Sequence, residues 1–115
     1  LLQQYKMYIM LEKFLQIADE NPDGFTAKLS GELVMEGGFV VAEKETQNSF
    51  GIEGLKRVLE YAISHKTLVG GWKENESYYF DASRLYKNRD EAVKKGLENE
   101  QIAIYDLDRK EVVYL

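Results

Sequence analysis

Apolar residues recur at two different rhythms along the chain, and the change of rhythm divides it. In residues 1–19, Met7, Met10, Leu11, Phe14, Leu15 and Ala18 fall three or four positions apart, the spacing that gathers side chains on one face of a helix. Asn21-Pro22-Asp23-Gly24 ends that pattern. Proline disfavours helix in the residue before it, and glycine supplies a turn. Two strand-like runs follow, Phe25–Leu29 and Glu32–Met35, with Ser30-Gly31 as the two-residue turn of a hairpin over residues 24–36. Gly37-Gly38 closes it.

From Phe39 the pattern becomes denser. "FVVAEK" is a continuous apolar run, as expected of a strand flanked on both sides. "IEGLKRVLEYAISHK" puts Ile52, Leu55, Leu59, Ala62 and Ile63 on one stripe of an amphipathic helix. "TLVGGW" and "SYYFDASRLY" predict two strands around a turn at Lys73–Glu76. "NRDEAVKKGLENE" predicts a second helix, with Asn88 and Glu91 spaced as a capping pair. "QIAIYDL" is again a strand, and after the turn Asp108-Arg109-Lys110 the chain returns as Val112–Leu115.

The order from residue 39 is strand, helix, strand, strand, helix, strand. This predicts an α+β, ferredoxin-like βαββαβ core in two layers, with both helices on one face of a mostly antiparallel sheet. An N-terminal helix (residues 1–20) and the hairpin precede the core, and a terminal strand follows it, all within a single domain. Side chains alternate across a strand. The set Tyr78, Phe80, Ala82, Arg84 and Tyr86 is the more apolar at its centre, so it is expected under the helices. Tyr79 and Asp81 then fall on the open face. Glu43 and Glu45 are expected to share that face with Asp81, and Trp72 to join it. Gly70-Gly71 reads as a bulge or a close approach of another backbone. Tyr and Trp also favour half-buried pleated surfaces for purely structural reasons.

With 115 residues the chain is long enough for one core. It has no cysteine, so neither disulfides nor thiolate metal sites are available. That suits a reducing, cytoplasmic setting. Fifteen basic residues are interleaved with twenty acidic ones, for a net charge of −5. Proteins that grip phosphates need clustered Lys and Arg. Partners are therefore expected to be neither nucleic acid nor membrane, and no apolar run approaches the ~18 residues of a membrane span. An aromatic sheet face can stack RNA bases, but no RNP pattern is present, and acids on that face would repel phosphates. The chain begins at Leu1 and not Met, as expected of a piece of something longer.

Candidate chemistry is sparse. The loop "KETQNSFGIEG" precedes a helix, whose free N–H groups and positive end attract anions. Thr46, Gln47, Asn48 and Ser49 could add hydrogen bonds there, although Asn48 or Ser49 is more simply the helix N-cap. No phosphate-loop or dinucleotide signature accompanies the loop. His65 is the only histidine, which supports neither a catalytic triad nor a nitrogen-and-sulfur metal shell. No metal, cofactor or catalytic residue is expected. Glu43, Glu45, Gln47, Asn48, Ser49, Trp72, Tyr79 and Asp81 form the candidate ligand-binding set. The expected function is a non-enzymatic module acting through protein contacts. The alternatives are a small-ligand binder or enzyme built on the 44–54 loop, and an acidic mimic of DNA. Self-association is also expected, as a homodimer through residues 1–18, because that helix carries more apolar residues than one narrow stripe.

At "FVVAEKETQNSFG", "GGW…YYFDASRLY", "DEAVKKGLENEQIAIYDL" and "EVVYL" the chain resembles a group of small hypothetical proteins of gut bacteria and their phages and mobile elements. The resemblance covers most of residues 24–115 and leaves out residues 1–20. It implies a bacterial or phage intracellular protein of accessory type and carries over no catalytic or binding residue.

Overall fold

The computed structural model covers residues 1–115. Helix α1 (Leu2–Glu20) is followed by β1 (Phe25–Ala27), β2 (Phe39–Ala42), a 3-10 turn (Lys44–Thr46), β3 (Ser49–Phe50) and α2 (Gly51–His65). Then come β4 (Leu68–Glu74), β5 (Ser77–Tyr86), α3 (Arg89–Glu98), β6 (Ala103–Asp106) and β7 (Glu111–Tyr114). The fold is α+β. The seven strands form one sheet of order β1-β4-β5-β2-β6-β7, with β3 paired to β5, and every pair is antiparallel.

All three helices lie on one face of this sheet. Phe14 and Ala18 of α1, with Leu55, Val58, Leu59 and Ala62 of α2, pack on Ala27, Val69, Phe80 and Ala82. Ala92 of α3 packs on Val41 and Ile104. Directly opposed residues share a face. Val41 is opposite Arg84, which lies two residues beyond Ala82 and four beyond Phe80 on β5 and so shares their face, and both clusters belong to the same side. Tyr78, Phe80 and Ala82 therefore sit under the helices, and Tyr79 and Asp81 face the other way, as the alternation along β5 predicts.

Local chemistry accounts for the boundaries. The Asn88 side chain accepts a hydrogen bond from Glu91 N–H at 3.0 Å, which caps α3 where the sequence expects a cap. At α2 the expectation fails. Its N-cap is Phe50, with no side-chain cap bond, while Asn48 adopts a left-handed backbone with φ 61°. Ser49 Oγ instead donates back to Thr46 C=O at 2.8 Å. The run "FVVAEK" is a strand only to Ala42. Beyond it, Thr46 Oγ1 accepts from Ala82 N–H at 3.0 Å, so a side chain takes the place of the next ladder bond. The predicted hairpin keeps its first arm. The second is reduced to a single bridge, Leu33 against Ala27, at the rim of the sheet. Gly70-Gly71 is no bulge, since both residues keep their ladder partners on β5. A methyl group on Gly71 would stand 2.5 Å from the Phe25 ring and 2.6 Å from the Tyr78 ring. The close approach there is by side chains rather than by another backbone.

Candidate functional site

The register of β2 separates the carboxylates that the sequence groups together. Val40 is opposite Leu85, and Ala42 is opposite Ser83, so the next residue, Glu43, turns to the helix face. There its Oε1 accepts from Arg84 Nε at 2.6 Å and its Oε2 from Asn99 Nδ2 at 3.3 Å. Arg84 also donates to His65 C=O at 3.1 Å. This pair ties the C-terminal end of α2 to that of α3. Glu45, carried on the 3-10 turn, accepts from Tyr61 Oη at 2.8 Å. Burial, then this bond, pushes the Tyr61 hydroxyl up to about 12. Neither glutamate shares a face with Asp81.

The 44–54 loop spends its polar groups on its own helix. Arg57 donates to Glu45 C=O (2.6 Å), Gln47 C=O (3.2 Å) and Ser49 Oγ (3.1 Å). Ser49 is buried, while Gln47 and Asn48 point to solvent without sharing a pocket with Asp81. The open hollow there, about 840 Å³, is lined by Asn48, Phe50, Glu53 and Arg57 among others. No three His, Cys, Asp or Glu side chains gather as a metal site would require.

Trp72, Tyr79 and Asp81 do come together, and the structure adds Phe50 to them. Phe50 is opposite Tyr79, and Tyr79 is opposite Trp72, so the three rings form a row across β3, β5 and β4 on the open face. Centroid distances are 5.6 Å for Phe50–Tyr79 and 5.7 Å for Tyr79–Trp72, the latter with planes 15° apart. Phe50 is 55% exposed and Trp72 39%. Phe50 is missed by sequence reasoning because it looks like the first apolar residue of α2. Its pairing with Tyr79 is a long-range contact with no local signature.

Asp81 occupies the next row. Its partner on β4 is Gly70, and a methyl group there would stand 2.6 Å from Asp81 Oδ1. The carboxylate thus leans over the one residue of β4 that leaves room for it. Burial alone pushes it up to about 7, with no hydrogen bond or opposite charge to hold it down. One row further, Ser83 is fully buried and its hydroxyl has no hydrogen-bond partner. A shallow groove of about 330 Å³ begins there, lined by Val34, Leu68, Ser83, Leu85, Lys28 and Lys66 among others.

Comparison with known proteins finds no matching family model, no matching curated protein and no matching solved structure. No helix is long and apolar enough to cross a membrane.

Proposed function

We propose that the protein is a small interaction module that docks a partner protein on the open face of its sheet, acting by contact rather than by chemistry. The observation that carries this reading is the row Phe50–Tyr79–Trp72, half-buried at its centre and exposed at both ends. Aromatic residues are enriched at interfaces relative to other protein surface, and contiguous apolar patches on a monomer are commonly interaction sites. The helices, which cover the other face, take no part in burying these rings. The 44–54 loop lends less support to a small-ligand site, because its acceptors are already occupied by Arg57.

The order β4-β5-β2-β6, with α2 and α3 on one face, supports a ferredoxin-like core for residues 39–106, extended by β1 on one side and β7 on the other. The resemblance to small bacterial and phage proteins supports a cytoplasmic setting. The outer side of α1, where Leu2, Tyr5, Tyr8 and Ile9 are exposed, supports a second contact through which the chain pairs with itself.

Photo-crosslinking in a bacterial lysate tests the docking face. A benzophenone side chain at position 79 is compared with one at Glu60, an exposed residue of α2. Adducts with another protein from position 79 alone support the proposal. Adducts from position 60 alone, or none from 79, contradict it.

A further inference from the structure

Strand alternation and the register assign every strand residue to one face or the other. Those on the open face are Thr26; Val40 and Ala42; Phe50; Leu68, Gly70, Trp72 and Glu74; Ser77, Tyr79, Asp81, Ser83 and Leu85; and Ala103, Tyr105, Val112 and Tyr114. Only Glu74 and Asp81 among these strand residues carry charge, and both are acidic; Lys28 and Lys66, outside the strands, line the groove that begins at Ser83. The two acids flank Trp72 along the sheet: Glu74 is two residues beyond it on β4, and Asp81 lies over Gly70, two residues before it. Two residues along a strand span roughly 7 Å. The basic residues of β4 and β5, Lys73 and Arg84, turn to the helix face, where Arg84 is held by Glu43.

Resting on the docking reading above, we propose that the occupant of this face is an extended basic segment of a partner protein, with an arginine or lysine side chain on the Trp72–Tyr79 rings and its charge against Asp81. The two rings are cross-strand partners, stacked with centroids 5.7 Å and planes 15° apart. A cation near the face of Trp or Tyr is attracted by the ring quadrupole, and guanidinium groups also stack on such rings. The Asp81 carboxylate has neither a hydrogen bond nor a counter-charge of its own. A guanidinium supplies both in one bidentate contact. Gly70 keeps the approach to the carboxylate clear, since any side chain there would meet Oδ1. Above about pH 7, where Asp81 is ionised, a neutral apolar partner would leave its charge unpaired, and an anionic one would face two carboxylates.

Trp72 is the only tryptophan, so its fluorescence reports on the site without labelling. The probe is an eight-residue Gly/Ser peptide with one central arginine, and the control is the same peptide with citrulline, the neutral isostere. Titration with the arginine peptide is expected to change Trp72 emission, with a dissociation constant near the millimolar range. Citrulline, and separately the Asp81→Asn variant, are each expected to weaken binding about tenfold or more, as for loss of a charge-assisted hydrogen bond. Asp81→Asn removes a poorly solvated charge, so a thermal unfolding scan should show it folded, and lost binding then reads as lost recognition. Equal binding of the two peptides, or undiminished binding by Asp81→Asn, overturns the cation proposal while leaving aromatic docking standing. Failure of both peptides to bind overturns the cation proposal, and the crosslinking at position 79 then decides the docking reading separately.

Discussion

The Asp81 carboxyl titrates at about 7 instead of 3.8 because packing around β4 and β5 removes water from it without replacing the lost hydrogen bonds. The folded chain therefore holds this proton more tightly than the unfolded chain does. The resulting stability is fully present below about pH 3.8 and is lost as the pH rises through 7. Asp81→Asn should consequently stabilise the protein at pH 8 and have little effect at pH 3.5. One pH unit corresponds to about 1.4 kcal/mol, and with partial solvent access the expected gain at pH 8 is roughly 2 kcal/mol. Urea unfolding of parent and variant at the two pH values measures it, and equal gains at both would contradict the account. Gly71→Ala should act in the opposite direction. Its methyl group would press on the Phe25 and Tyr78 rings, a degree of overpacking that costs about 1–3 kcal/mol, visible as a lowered urea midpoint. At this scale the sequence is half legible. Period-two alternation within β5 places Tyr79 and Asp81 correctly relative to Phe80. Glu43 and Glu45 are misplaced because their orientation depends on the register of β2 against β5 and on the turn that begins at Lys44. Neither leaves a mark in local sequence.

Among the elements, α1 is divided along its circumference. Phe14 and Ala18 are buried against α2 and the sheet, whereas Leu2, Tyr5, Tyr8, Ile9 and Leu15 remain exposed. The inner stripe makes the helix a structural part, so a chain shortened to Asn21 would lose Phe14, and truncating such a residue to Ala alone costs about 3–5 kcal/mol. Self-association is better tested with Tyr5→Lys/Ile9→Lys, which alters only the outer side. Sedimentation velocity at tens of micromolar, roughly the range of weak association, is expected to show a dimer for the parent chain and a monomer for the double variant. A monomeric parent would end the proposal. Helices α1 and α2 are legible from their apolar spacing, and α3 from its cap. The strands are legible where they are long and dense. The second hairpin arm and β3 are not, because a one-residue bridge and a two-residue pairing are set by the neighbouring strand rather than by their own composition.

For the molecule as a whole, placing three helices on one side of a seven-stranded sheet leaves the other side without a helix. Val40 and Ser83 are buried on that side, but around β3 and the far ends of β4 and β5 it carries the aromatic row and two carboxylates, with no strand-borne cation. The same asymmetry disfavours nucleic acid, since a phosphate chain laid on the aromatic row would meet Glu74 and Asp81. Fluorescence polarisation with a labelled oligonucleotide should show no binding at physiological salt. Micromolar, salt-dependent binding would be inconsistent with this distribution of charge. The central claim is that the open face is where the protein meets its partner. At 13.3 kDa the chain is well suited to nuclear magnetic resonance, and a proton–nitrogen correlation spectrum titrated with the arginine peptide locates contact residue by residue. The account predicts shifts centred on Phe50, Gly70, Trp72 (indole N–H included), Tyr79 and Asp81, with α2 and α3 unmoved. Shifts centred on the helix face instead would contradict it.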